Sequence, residues 1–357
     1  MQKITFEREP KLAESAHQCG PPPTAGEVQA TGQISAATKP RLNRLLAWRR
    51  RNGARELWDW ARCKRVTLPT AEHLAEVLMT LDTRTSRVLD TEKATEPPIF
   101  LLAAGWRSGS TLLQRILVTD PRLPLWGEPF GEMALVSGIV EMLIRISTFP
   151  RLEGLYAQHK LTSSSLARSW IANLYPPGDD FRRALRRLFD RWLGEPARER
   201  GFVRWGFKEV RLSASEATFL HWLYPQAKFV LLARHPYDCY RSLSDSGWHH
   251  IYYRRPDLRG DSAAGIARHW NRVVTSWSEL PVGFPSFHVK YEDLISSAFD
   301  FRKLESWLGV EIEEDIALSV RVRPTAVRSR LSWCERMIIS CEAATGMRAL
   351  GYSESLS

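Results

Sequence analysis

From residue 97 onward the chain alternates short, strand-like runs rich in apolar residues with longer stretches whose apolar residues recur at helical spacing. The runs Ile99 to Ala104, Gly206 to Val210, Phe229 to Ala233 and Phe287 to Lys290 have strand length, and helical patterns follow the first and third at Thr111 to Val118 and Tyr237 to Leu243. A strand exposed on one face alternates apolar and polar residues, whereas a strand covered by helices on both faces is apolar throughout. The pattern predicts an α/β fold: a P-loop-like three-layer domain with a central, mainly parallel sheet.

Ahead of this region the pattern weakens. Residues 1–40 include "CGPPPTAGEVQATGQISAATKP", poor in large apolar side chains, and read as a flexible tail. Residues 41–65 carry nine Lys/Arg against two acidic residues, a local charge of +7. Leu42, Leu45, Leu46 and Trp48, then Leu57, Trp58 and Trp60, predict an amphipathic helix or a pair broken at Asn52 and Gly53. A further helix is predicted from Pro69 and Thr70. The expected organisation is a tail (1–40), a basic helical N-terminal extension (41–96) and one catalytic domain (97–357).

The 357 residues are 44% hydrophobic, which excludes disorder of the whole chain, and the formal charge of +10 favours anionic partners. Charge alone does not choose among nucleic acid, lipid head group and phosphorylated small molecule. The five cysteines are scattered, with no Cys-x-x-Cys pair and no zinc spacing, as suits a reducing compartment. The start "MQKITFEREP" is charged where a signal peptide is apolar, and no run is long enough to span a bilayer. A cytoplasmic protein is expected.

The segment "PPIFLLAAGWRSGSTLLQRIL", residues 97–117, joins the first strand to the first helix through a turn containing Gly105 and Gly109. Backbone N–H groups and the positive end of the helix dipole converge at such a turn, so an anion is the expected occupant. Arg107, Ser108, Ser110 and Thr111 add a cation and hydroxyls. A nucleotide-kinase loop reads Gly-x-x-x-x-Gly-Lys-Ser/Thr. Here the glycines are one residue closer and no lysine follows Gly109, which disfavours an ATPase without excluding an atypical P-loop kinase. A plain glycine turn capped by Ser110 is the structural alternative.

"GWRSGSTLL" resembles the 5′-phosphosulfate loop of sulfotransferases that use 3′-phosphoadenosine 5′-phosphosulfate (PAPS), in the form found in carbohydrate and tyrosylprotein members. A second match strengthens the resemblance. In "FVLLARHPYDCYRSL", residues 229–243, Arg234 ends a strand and Ser242 follows eight positions later, the arrangement that holds the 3′-phosphate in that family. Pro236 suits a first helical position and Asp238 a first turn. "HVKYEDL" at 288–294 and "LGY" at 350–352 are weaker matches that concern folding. The resemblance spans residues 97 to 352.

What the resemblance implies is a transfer of the sulfuryl group of PAPS to a hydroxyl of a carbohydrate, glycolipid or aromatic natural product, with 3′,5′-adenosine bisphosphate released and no metal required. Arg107, Ser108, Gly109, Ser110, Thr111, Arg234 and Ser242 are then the cofactor-binding set. Arg107 and Lys208, the latter in "WGFKEVR", are expected to stabilise developing charge, although a surface Lys208 paired with Glu209 is as good a reading. Glu128 in "LPLWGEPF" stands where carbohydrate and tyrosylprotein members carry a general base, between Trp126 and the pair Pro129 and Phe130, apolar surroundings that raise a carboxyl's pKa; a helix-start or loop carboxylate paired with an Arg is the alternative. Glu209 and His249 are reserves. The aromatic, basic stretch 247–261 is read as a loop beside the acceptor, and 322–331 as a cationic segment over the nucleotide or a solvated charge run. No nucleic-acid partner is expected, although the segment 41–65 keeps a basic nucleic-acid-binding protein as an alternative. Peripheral membrane contact is compatible with the sequence, and the oligomeric state is open.

Overall fold

The computed structural model describes residues 74–75, 78–79, 96–129, 134–147, 163–168, 176, 178–246, 262–296, 299–313, 315 and 330–353. The expected tail, nearly all of the basic extension, residues 247–261 with His249, and residues 322–329 lie outside them. Of the helix expected after Thr70, residues 74–75 and 78–79 are helical, with Leu74 and Leu78 buried one turn apart.

Five strands form one parallel sheet: β1 (Ile99–Ala103), β2 (Leu125–Trp126), β3 (Gly206–Glu209), β4 (Lys228–Ala233) and β5 (Ser286–Lys290), in the order β2-β3-β1-β4-β5. All five residues of β1 are buried, which is why that strand reads as an unbroken apolar run. After β1 the chain steps outward to the edge strand β2, returns to β3, then crosses to β4 on the other side of β1. Such a reversal of strand order opens a crevice at the carboxyl ends of the strands, where open α/β sheets bind ligands. The register sets Leu102 beside Glu209 and Ala103 beside Leu232, so the loops leaving β1, β3 and β4 emerge together.

Aromatic side chains fill the sheet's core. Phe100 on β1 lies 4.8 Å from Phe207 on β3 and 5.3 Å from Phe229 on β4, centroid to centroid, and Trp205 and Tyr224 close the cluster. Burying one such ring contributes on the order of 2 kcal/mol.

The helices that position the site are α1 (Ser110–Leu117), α2 (Leu135–Ser147), α3 (Ser163–Arg168), α4 (Gly178–Phe189), α5 (Glu195–Glu199), α6 (Ala214–Leu223), α7 (Pro236–Ser246), α8 (Ala263–Ser276), α9 (Tyr291–Leu294), α10 (Phe301–Leu308) and α11 (Trp333–Ala349). α11 starts in a capping box of Ser332 and Glu335, and Glu335 also accepts from the Tyr240 hydroxyl of α7 at 3.1 Å. Further along, Gly346 donates its backbone N–H to Asn271 of α8 at 2.7 Å, and a Cβ there would stand 2.8 Å from the Trp270 ring. α11 can therefore press on α8 only because Gly346 has no side chain. Trp270 in turn donates its indole N–H to the Arg234 carbonyl at 2.9 Å, carrying this packing to the end of β4. Among the described residues no helix is long and apolar enough to cross a membrane.

Candidate functional site

The loop between β1 and α1 alternates its backbone handedness. Gly105, Arg107 and Gly109 have φ of 81°, 63° and 91°, and the residues between them do not have positive φ. Alternation of this kind turns successive N–H groups toward one point and forms an anion-binding concavity. Among the described residues none accepts from the backbone N–H of Ser108, Gly109, Ser110 or Thr111. Arg107 is exposed at the mouth of the loop and sits in a conformation that costs a non-glycine residue on the order of 1 kcal/mol.

The capped-turn alternative fails at this loop, and the role of one hydroxyl needs refinement. The N-cap of α1 is Gly109 in the left-handed region with no side-chain cap, and Ser110 is the first helical residue rather than the cap. Ser108 is fully buried and its hydroxyl donates to the Gly105 carbonyl at 2.8 Å. A hydroxyl carries one proton, so that proton holds the loop's shape and an anion is left the Ser108 backbone N–H.

The two arginine motifs meet. Arg107 Nε donates to Ser242 Oγ at 3.0 Å, and Arg234 Nη1 donates to the Arg107 carbonyl at 3.0 Å. The adjacency of β1 and β4 brings their loops together, and Pro236 begins α7, as its fixed φ favours. Arg234 also lies over the Tyr291 ring, 4.3 Å from its centroid, while that ring packs so closely on Gly109 that a Cβ there would come within 2.1 Å of it. Arg234 Nε is buried and has no hydrogen-bond partner among the described residues.

Behind Arg234, Glu292 ties three segments together. One carboxylate oxygen accepts from the His235 backbone N–H at 2.9 Å and the other from the Tyr352 hydroxyl at 2.8 Å. Burial, with the Glu292 carboxylate beside it, pushes the Tyr352 phenol well above its ordinary pKa.

A second group of charges lies at the end of β3. Because Trp126 is in register with Phe207, Glu128 just beyond β2 falls beside Lys208. Lys208 Nζ donates to Glu128 Oε1 at 2.6 Å, Arg211 Nη2 stands 3.2 Å from Glu128 Oε2, and the same Nη2 donates to Glu209 Oε2 at 2.6 Å. Lys208 is thus buried against Glu128 rather than lying at the surface beside Glu209. Glu128 is gripped by two cations, not enclosed by apolar groups as its neighbours in sequence imply. Glu209 accepts from the Val210 backbone N–H at 2.7 Å, and burial raises its pKa against the opposing pull of Arg211. His249, the other reserve, lies outside the described residues.

Sequence reasoning missed Arg211, Tyr291 and Glu292 as parts of this region. Arg211 has its place written only in the β2–β3 pairing, far from any local spacing. Tyr291 and Glu292 stand in a segment whose similarity was attributed to folding, which is consistent with the packing they provide.

Comparison with known proteins bears on what the arrangement does. No curated protein matches the chain. Among solved structures, the chain is similar to the sulfotransferase domain of the Synechococcus PCC 7002 olefin synthase, with 19% identity over 75% of this chain and 99% of that one and a TM-score of 0.38. It is also similar to the sulfotransferase domain of the curacin biosynthetic pathway (14%, 73% and 99%, 0.42) and to a sulfotransferase from Alicyclobacillus acidocaldarius (16%, 73% and 98%, 0.40). The sequence model of the sulfotransferase family matches residues 97–314, a span that contains Arg107, Glu128, Lys208, Arg234 and Ser242. With more than half of its length matched by that family, the chain belongs to the sulfotransferases and is an enzyme of sulfuryl transfer.

Proposed function

We propose that the enzyme moves the sulfuryl group of PAPS to a hydroxyl of a carbohydrate, glycolipid or aromatic natural-product acceptor, with Glu128 as general base. The observation that carries this reading is the pair of bonds joining Arg107 to Ser242 and Arg234 to the Arg107 carbonyl. They support reading the two motifs as one site for the two phosphate ends of a single nucleotide.

The residues fit such a ligand. Backbone N–H groups and a buried Arg234 Nε without partners among the described residues, together with two guanidiniums, make a donor-rich site suited to polyanions. When bound, PAPS supplies the sulfuryl group and a phosphate leaving group. The loop N–H groups and Arg107 hold the 5′ end. Arg234 and the Ser242 hydroxyl, which accepts from Arg107 and keeps its own proton to donate, hold the 3′-phosphate. Such fixed donors stabilise developing charge without reorganising.

Lys208 spends one of three N–H bonds on Glu128 and keeps two for charge that builds during transfer. Glu128 has about four lone-pair sites, two of them engaged by Lys208 and Arg211, and accepts the acceptor hydroxyl's proton on another. A positioned base of this kind is worth about 10²- to 10⁴-fold in rate.

The test is incubation with PAPS and a panel of carbohydrate, glycolipid and phenolic acceptors, followed by mass spectrometry for an added sulfuryl group. Transfer to one class, slowed about 10²- to 10⁴-fold in Glu128→Gln with the thermal midpoint retained, supports the reading. Wild-type turnover by Glu128→Gln rejects the base, and no transfer to any acceptor rejects the acceptor classes.

A further inference from the structure

Glu128 is held from two sides, and the second side has no role in the reading above. Arg211 is 2% exposed in its side chain, and Glu209 is 3% exposed. Taking two charges out of water is costly, and the cost is offset only by close geometry and satisfied hydrogen bonds. A pair serving the fold alone needs only its two members. Here one nitrogen, Arg211 Nη2, lies 2.6 Å from the buried Glu209 and 3.2 Å from the partly exposed Glu128.

The segment carrying this pair is also fastened to the anion loop. The Val210 carbonyl accepts from the Gly105 backbone N–H at 3.1 Å, and the His269 ring nitrogen Nε2 stands 3.1 Å from it. The Arg211 guanidinium lies 6.0 Å from the centre of the Trp106 ring, a loop side chain that packs in turn on His269 at 5.1 Å. The height of Arg211 relative to the loop is therefore fixed through Val210 and through Trp106. Charges in the cluster balance, Lys208 and Arg211 against Glu128 and Glu209.

We infer that Arg211 is a positioning residue: anchored by Glu209 and braced against Trp106, it sets where the Glu128 carboxylate stands relative to the anion loop. This rests on Glu128 being the base. Glu209 serves as the counter-ion that keeps Arg211 buried, and it touches no substrate. Burial raises the Glu209 pKa even against the pull of Arg211, which marks how costly that position is for a carboxylate.

Arg211→Met alone strands a buried Glu209 and threatens the fold. The informative variant is Glu209→Gln combined with Arg211→Met, which removes both charges and keeps the volume. Its kcat is expected to fall about 10- to 100-fold, the scale seen when residues supporting a functional group are lost. Acceptor KM and the affinity for 3′,5′-adenosine bisphosphate are expected to stay within a few-fold of wild type. Adding Glu128→Gln to this pair is expected to cost nothing beyond Glu128→Gln alone, because the residues act as a unit. A wild-type kcat in the pair variant, a loss that multiplies with that of Glu128→Gln, or an equal loss of bisphosphate affinity overturns the inference. Should the pair variant not fold, Arg211→Lys decides, since the lysine side chain is shorter and its ammonium falls short of the Nη2 position that contacts both carboxylates: reduced kcat at unchanged bisphosphate affinity supports the role, and wild-type kcat overturns it. If Glu128→Gln alone turns over at the wild-type rate, the base assignment has failed and this inference falls with it. If that variant is slow while the pair variant is not, only the role of Arg211 is lost.

Discussion

Arg234 donates to the backbone carbonyl of Arg107 at 3.0 Å, so the guanidinium ending β4 holds in place the loop that follows β1. Arg107 returns the contact through Ser242 on α7, the helix that begins two residues after Arg234. Each motif therefore shapes the other, and neither is a free-standing anion hook.

Arg107 is a non-glycine residue held in the left-handed conformation, with φ of 63°. Arg107→Gly relieves the backbone and Arg107→Ala does not, so the glycine variant is expected to be the more stable by about 1 kcal/mol in urea denaturation. Both are expected to weaken 3′,5′-adenosine bisphosphate binding. Equal stabilities would show that the loop carries no such strain.

Gly109→Ala meets two penalties, a φ of 91° and a Cβ 2.1 Å from the Tyr291 ring. A destabilisation of roughly 2–4 kcal/mol is expected from chemical denaturation, with nucleotide binding lost. Tyr291→Ala in the same chain removes the clash and leaves the φ, so it restores part of the stability. Full recovery would assign the whole cost to the ring.

Tyr352→Phe strands one oxygen of Glu292 and is expected to cost about 1–3 kcal/mol at neutral pH. The folded phenol's pKa is raised, so its contribution is present below about pH 10, the ordinary tyrosine value, and is lost as pH rises beyond that toward the folded pKa. Stability measured from pH 8 to 11 should therefore decline more steeply above pH 10 in wild type than in Tyr352→Phe. Identical alkaline slopes would contradict the Glu292 contact.

Burial pushes the Cys239 thiol up to about 12, whereas Cys341 is exposed. Alkylation at pH 8 followed by peptide mass mapping should label Cys341 in the native protein and Cys239 only after denaturation, because the thiolate is the nucleophile. Equal labelling of both would place Cys239 outside the core.

Much of this fold could be read in the sequence because the central strands β1 and β4, covered on both faces, are apolar nearly from end to end. Phe229 to Ala233 appeared as such a run and differs from β4 by one residue at its start. β2 gave no signal, since its two residues are too few to show a period, yet its pairing with β3 is what brings Glu128 to Lys208. Arg107 and Arg234 stood out because each follows a strand and precedes a helix. Arg211 did not, because its partnership with Glu128 exists only across two strands. The surroundings of Glu128 were misjudged for the same reason: its neighbours in the chain are apolar, and its neighbours in space are Lys208 and Arg211.

The central claim is that Arg107 and Arg234 hold the two phosphate ends of one nucleotide. Isothermal titration of wild type, Arg107→Ala and Arg234→Ala with 3′,5′-adenosine bisphosphate and with 5′-AMP tests it most directly. Wild type should prefer the bisphosphate by about 1.5–3 kcal/mol, the scale of hydrogen bonds to charged groups, and Arg234→Ala should abolish that preference while Arg107→Ala weakens both ligands. Equal binding of the two nucleotides by wild type, or a bisphosphate preference that survives in Arg234→Ala, would contradict it.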